Sequence, residues 1–381
     1  MTSVLVVGAG VIGLTSALEL LNAGYKVTII ADHFNEAPKT YMTSEVAGAL
    51  WEWPPAVCGR HTNESSLKSS KRWCMVSYWK FIQLASEERG TGIYPRKAVF
   101  YQRQKVEENA DEHCKMQELS FLPGFCHDSQ LIDEFNVNRN YGVKDAYSHI
   151  SPVVDTTQMM KWLYKQCKDH GATFFKRRVN GSLLDQVDTL LVEYDVDFIV
   201  NCAGLGARET ADDKGVYPLR GMLLKVANDG SKMPKLNSAL VMPLNEEFMA
   251  KDQRIVFILP RGENDLLIGG LVEAGQSETE GITFNHPQIQ RMLKNCQDFF
   301  PALKAYQESD VKEIIVGLRP FRENNIRVEM EPKCRKIIHN YGHGGSGWSL
   351  SWGCAADVTN LIQHEVQSKL WSSRMMLFSK L

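Results

Sequence analysis

The sequence predicts an α/β fold: a Rossmann-type dinucleotide-binding unit opens the chain, and a largely antiparallel sheet forms a second domain. Three observations carry this. A glycine-rich turn sits between a strand-like and a helix-like run near the amino end. Apolar runs flank a turn at Pro260–Asn264 as a hairpin would. The length of 381 residues exceeds one compact core of ordinary size, so two intertwined domains around a shared cleft are expected.

Taken in order, Ser3–Val7 is a short β-branched and apolar run, the composition of a buried strand. It meets Gly8, Ala9, Gly10, Val11, Ile12 and Gly13, and a helical pattern follows from Leu14 to Ala23. Gly8 permits the tight turn, Gly10 lets the backbone approach a pyrophosphate, and Gly13 lets the helix pack close on the strand. The first helical amides then face the phosphates. Gly24 ends the helix, Lys26–Ile30 forms a second strand, and Asp32 stands 19 residues beyond Gly13, where an acidic residue can bond a ribose hydroxyl. This fingerprint holds an adenosine diphosphate and does not distinguish FAD from NAD.

Composition narrows the functional class. Hydrophobic residues make up 44% and charged residues 23%, values of a globular protein that can bury a cofactor. The 43 basic and 45 acidic residues leave a net charge of −2, so no global field recruits nucleic acid or an anionic membrane. The nine cysteines form no Cys-x-x-Cys pair; reduced thiols in an intracellular compartment are expected, and no metal site is read. The apolar run Val4–Val7 is too short for a signal peptide or a membrane span. Ser379-Lys380-Leu381 matches the tripeptide read by the peroxisomal import receptor, so peroxisomal localisation is expected.

Seven further segments resemble the D-amino-acid oxidase family. Thr43–Trp51 (TSEVAGALW) is similar to the segment that crosses the flavin in that family. Phe198–Gly206 resembles the strand and turn beside the adenosine half, and Tyr217–Gly221 the return toward the substrate domain. Val316–Pro320, Ile326–Glu329, His339–Ser349 and Ser351–Ala355 resemble the carboxy-terminal signature. The resemblance implies FAD held noncovalently in a discontinuous domain of residues 1–53, 149–215 and 310–381, with 54–148 and 216–309 as substrate domain. A homodimer is implied as well. Thr43, Ser44, Gly48, Ala49, Leu50, Val179, Ala203, Gly344, Gly347, Trp348 and Ser349 join the glycine turn and Asp32 as cofactor-binding candidates.

For catalysis the resemblance implies that Arg319 clamps the substrate carboxylate, a task suited to the planar guanidinium fork. It implies further that the Gly345 carbonyl accepts from the substrate amine. Hydride transfer then rests on positioning, without a protein base, and yields an oxo acid, ammonia and peroxide from an amino acid and oxygen. The chain departs from the family at Phe257, where a tyrosine hydroxyl usually joins the arginine; losing that donor costs about 1.5–3 kcal/mol of carboxylate binding. Where relatives acting on D-aspartate carry an arginine after two glycines, this chain has Val272, and Glu52, just after the crossing segment, is expected to face the pocket, so neutral or basic side chains are expected over acidic ones. Two alternatives stay open: an oxidase of secondary or N-substituted amino acids, and a catalytically idle flavin-binding redox sensor.

Overall fold

A computed structural model describes residues 1–34, 42–55, 61–243 and 255–378. The Ser379–Leu381 tripeptide and part of the segment after Met242 lie outside the described residues. Two sheets organise the chain. The first has six strands in the order 327–331, 334–341, 198–201, 3–7, 26–31 and 173–176, all parallel except the hairpin edge 327–331. Val4, Leu5 and Val6 are fully buried, as a central parallel strand covered on both faces requires. The helix Val11–Asn22 packs on this strand, and the helix Gly347–Phe378 packs against that helix.

The close approaches are made by small residues. Gly353 lies against the backbone of the helix Glu64–Glu87: a Cβ there would sit 2.2 Å from the Trp73 Cα. Only glycine allows these two helices to meet at that distance.

The second sheet has nine strands and is antiparallel except where Ala98–Phe100 runs parallel to Ala239–Val241. That pair joins segments brought together by a long crossover, which local hairpin signals do not encode. The expected hairpin is present: Val256–Arg261 pairs antiparallel with Asp265–Gly269. The long strand Val311–Arg322 lies along Val216–Ala227. The sheets divide the chain differently from the ranges read from sequence at two places. Residues 149–154 and 311–322 run in the antiparallel sheet, each as the last strand before the chain re-enters the parallel one. The crossing from one layer to the other therefore falls at strand ends rather than at linkers.

The eight described cysteines are free thiols. No described helix is long and apolar enough to cross a membrane.

Candidate active site

A cleft of about 590 Å³ opens between the two sheets. Its floor is the amino-terminal turn. Gly8 takes φ +113°, and a Cβ on it would lie 2.4 Å from the Cys202 carbonyl oxygen. At Gly13 a Cβ would lie 1.9 Å from the Gly8 oxygen, so the helix rests directly on the turn. Gly10 is the N-cap and offers no side chain; the Ser44 hydroxyl accepts from the Val11 N–H at 2.9 Å instead. The amides of Ala9 and Gly10 donate to no backbone or side-chain acceptor among the described residues. Amides left open at a helix start form an anion site.

Asp32 stands at the exposed rim, its carboxylate 3.4 Å from Arg178 Nη1 and 3.6 Å from His33 Nε2. Val179 and Ala203 line the same end. Neither Arg178 nor His33 was singled out from the sequence, because surface charges carry no periodic or motif signal.

The middle wall is the segment 42–52. Thr43 Oγ1 donates to the Leu318 carbonyl at 3.0 Å, and Trp348 Nε1 donates to the Ser44 carbonyl at 2.9 Å. Ala49 holds φ 56°, a left-handed conformation that costs a non-glycine residue about 1–3 kcal/mol and marks a segment fixed by its surroundings. From behind, the buried Arg261 donates through Nη2 to the Ala47 and Gly48 carbonyls at 2.5 and 3.4 Å. Ser349 lies behind the wall as well. Its hydroxyl accepts from the Glu52 N–H at 3.2 Å and reaches the Leu50 carbonyl at 3.5 Å. Of the cofactor candidates, Gly13 and Ser349 alone do not line the cleft.

Arg319, Phe257 and Gly345 face the remaining end. The Arg319 guanidinium lies against Gly221, where a Cβ would come within 2.3 Å of Nη1, and among the described residues its one hydrogen bond runs to the Leu271 carbonyl at 3.4 Å. Most of its donor fork is thus left for a ligand. The Phe257 ring occupies the space a Cβ on Gly48 would need, with Cε1 at 2.3 Å. Glu52 lines the cleft with no hydrogen bond or ion pair to its carboxylate among the described residues. Burial raises its pKa, and the charges of Lys115 and Arg319 offset part of that.

The helix start Gly344–Trp348 closes the cleft. Beside it His343 is buried; desolvation takes its pKa down to about 3, so the ring stays neutral. Among the described residues His343 Nε2 and Asn340 Oδ1 have no hydrogen-bond partner, although both residues line the cleft. Buried polar atoms without partners are rare in folded proteins and mark a place for a polar ligand. With the open amides at the turn, the ribose-side carboxylate and the closed glycine packing, the residues present fit a dinucleotide spanning the cleft.

Known proteins agree with this geometry. A family model described as "FAD dependent oxidoreductase" matches residues 3–361. A D-amino-acid oxidase of Rubrobacter xylanophilus is 31% identical over 360 residues, covering 93% of this chain and 94% of its own. One of Streptomyces coelicolor is 29% identical over 361 residues, covering 94% and 96%. Among solved structures, a glycine oxidase from Bacillus cereus shares the fold with a TM-score of 0.69 at 16% identity, covering 96% of both chains. FAD is therefore the cofactor, and this chain belongs to the family of FAD-dependent oxidoreductases.

Proposed function

We propose that the protein is an oxidase of D-amino acids with neutral or basic side chains. The carbon bearing the amine gives up a hydride and the amine nitrogen a proton, leaving an imine; oxygen takes up the two electrons and two protons as hydrogen peroxide, and water hydrolyses the imine to an oxo acid and ammonia. Bound FAD supplies the hydride acceptor. The observation that carries the reading is Arg319: a guanidinium with one weak backbone contact among the described residues, facing a cofactor cleft, suits a substrate carboxylate. The Gly345 carbonyl, on the same cleft, is available to accept from the substrate amine and so to orient the carbon that reacts. Both stereochemistry and amine class are supported by the relatives named D-amino-acid oxidase.

The neutral-or-basic preference rests on Glu52 and Val272, which line the cleft where an acidic side chain would need a cation. One observation favours a second reading. Phe257 puts a ring without a hydroxyl beside the crossing segment, and a looser carboxylate clamp suits a secondary or N-substituted amino acid. A panel of D-amino acids, L-amino acids, glycine and sarcosine, read by peroxide formation, separates the two. Peroxide from sarcosine but from no primary D-amino acid would replace the first reading by the second, and silence across the panel would leave only a redox-sensing flavoprotein. A homodimer and peroxisomal import belong to the same proposal. The first is tested by sedimentation, the second by fusing Ser-Lys-Leu to a fluorescent protein, where a cytosolic signal would remove it.

A further inference from the structure

We propose that Arg261 is the positioning residue that arms the cleft wall: by gripping carbonyls of the 45–49 segment from behind, it turns the next amides into the cleft as donors to FAD. The inference rests on the FAD family assignment and is independent of which substrate is oxidised.

Arg261 ends the strand Val256–Arg261, whose preceding residues are almost wholly apolar, and it is buried. A buried guanidinium is costly unless its donors are met. Among the described residues no carboxylate lies within ion-pair distance of it, and burial lowers its pKa. Its contacts are instead backbone oxygens and one hydroxyl. Nη2 donates to the Ala47 carbonyl at 2.5 Å and the Gly48 carbonyl at 3.4 Å, while Nη1 donates to Thr156 Oγ1 at 2.8 Å. Thr156 Oγ1 in turn donates to the Glu45 carbonyl at 2.5 Å. One cation and one hydroxyl thus hold three carbonyls of the same short segment on the side away from the cleft.

Peptide geometry supplies the rest. In a trans peptide the C=O and the following N–H point in opposite directions. Gripping the Ala47 and Gly48 carbonyls from behind aims the N–H groups of Gly48 and Ala49 at the other side, where both residues line the cleft. Neither N–H finds an acceptor among the described residues, whereas the Ala49 carbonyl is taken by the Val154 N–H at 2.9 Å. Donors fixed before the ligand arrives require no reorganisation when negative charge develops on it. The positive charge behind the same two peptides acts in the same direction.

The test compares the parent holoenzyme with Arg261→Met, Arg261→Lys and Thr156→Val. FAD dissociation is read from free-flavin fluorescence on dilution, and the midpoint potential of the bound flavin by dye-coupled reduction. Arg261→Met is expected to weaken FAD binding at least tenfold and to make the potential more negative. Arg261→Lys, which keeps the charge and part of the grip, should fall between it and the parent. If Arg261→Met does not fold, Thr156→Val decides: it removes the hold on Glu45 and one acceptor of Arg261, and FAD should bind about threefold more weakly with a potential shift of the same sign. A merely structural arginine would lower thermal stability and leave the potential where it was. A folded Arg261→Met, or Thr156→Val in its place, with parental FAD affinity and potential overturns the proposal.

Discussion

Glu52→Gln isolates a cleft carboxylate that, among the described residues, has no hydrogen bond or ion pair. The backbone there is fixed on both sides, since the Glu52 N–H bonds Ser349 Oγ at 3.2 Å and its carbonyl accepts from Cys74 Sγ at 3.2 Å. An amide of the same shape can therefore replace the carboxylate without moving the wall. Two unit charges about 4 Å apart at an effective dielectric of about 20 attract by about 4 kcal/mol. Stripping water from a substrate ammonium or guanidinium takes back part of this, as does the repulsion between that cation and Arg319. A surviving 1.4–2.8 kcal/mol, tenfold per 1.4, predicts a loss of roughly ten- to a hundredfold. The assay is kcat/KM for D-arginine and D-lysine against D-alanine at fixed pH and low salt, with D-aspartate alongside. Basic substrates should fall by that factor, D-alanine should change less than about threefold, and D-aspartate should improve. An unchanged ratio of basic to neutral substrate would show that the side chain of the substrate lies elsewhere. Stability provides a second readout. Because burial raises the Glu52 pKa, its ionised form destabilises the fold at pH values above the unfolded carboxylate's, near 4.3. The glutamine variant should accordingly melt no lower than the parent at neutral pH, and any advantage should vanish as the pH falls below about 4.

Three other substitutions bear on the carboxylate end of the cleft. Arg319→Ala should keep its yellow colour and lose more than tenfold in kcat/KM on carboxylate substrates, since removing a charged bidentate partner costs roughly 2–5 kcal/mol; parental kinetics would refute the clamp. Gly221→Ala places a methyl where the guanidinium now lies, 2.3 Å from Nη1, and the flexible arginine should yield by moving, so steady-state kinetics should show KM rising several-fold with bound FAD unchanged. Phe257→Tyr should lower KM for ordinary D-amino acids by returning a hydroxyl beside the clamp, and a variant that binds them no better would count against this strand as its source.

What the sequence made legible follows from how local each signal is. Gly8 and Gly13 could be read because the backbone itself demands glycine there, at φ +113° in the one case and with a Cβ 1.9 Å from another carbonyl oxygen in the other. The crossing segment and the carboxy-terminal loop were read through family resemblance; nothing in their periodicity announces a cleft. Arg319 followed the same route, whereas its seat on Gly221 depends on the pairing of strands 216–227 and 311–322, nearly a hundred residues apart. Arg261 went unremarked. A charge closing an apolar strand run was visible as an anomaly, but its partners are carbonyls more than two hundred residues earlier. The parallel pairing of Ala98–Phe100 with Ala239–Val241 was hidden for the same reason: its register comes from a long crossover and from no turn chemistry.

The cleft is walled by stretches from both ends of the chain, and this has a consequence for biosynthesis. Between Gly13 and Gly344 lie 330 residues, and at about 5–20 residues per second a ribosome needs roughly 20–60 s to make them. Throughout that interval the phosphate turn exists without the helix start that closes the site, and for more than half of it the strand Ser3–Val7 lacks its neighbour Phe198–Asn201. Contacts of such long range are closed late, against a large loop entropy. Cofactor capture is thus deferred until the residues around Gly344 have been made, and a nascent chain stalled before Gly344 carries a nucleotide-binding signature without a place to keep the nucleotide.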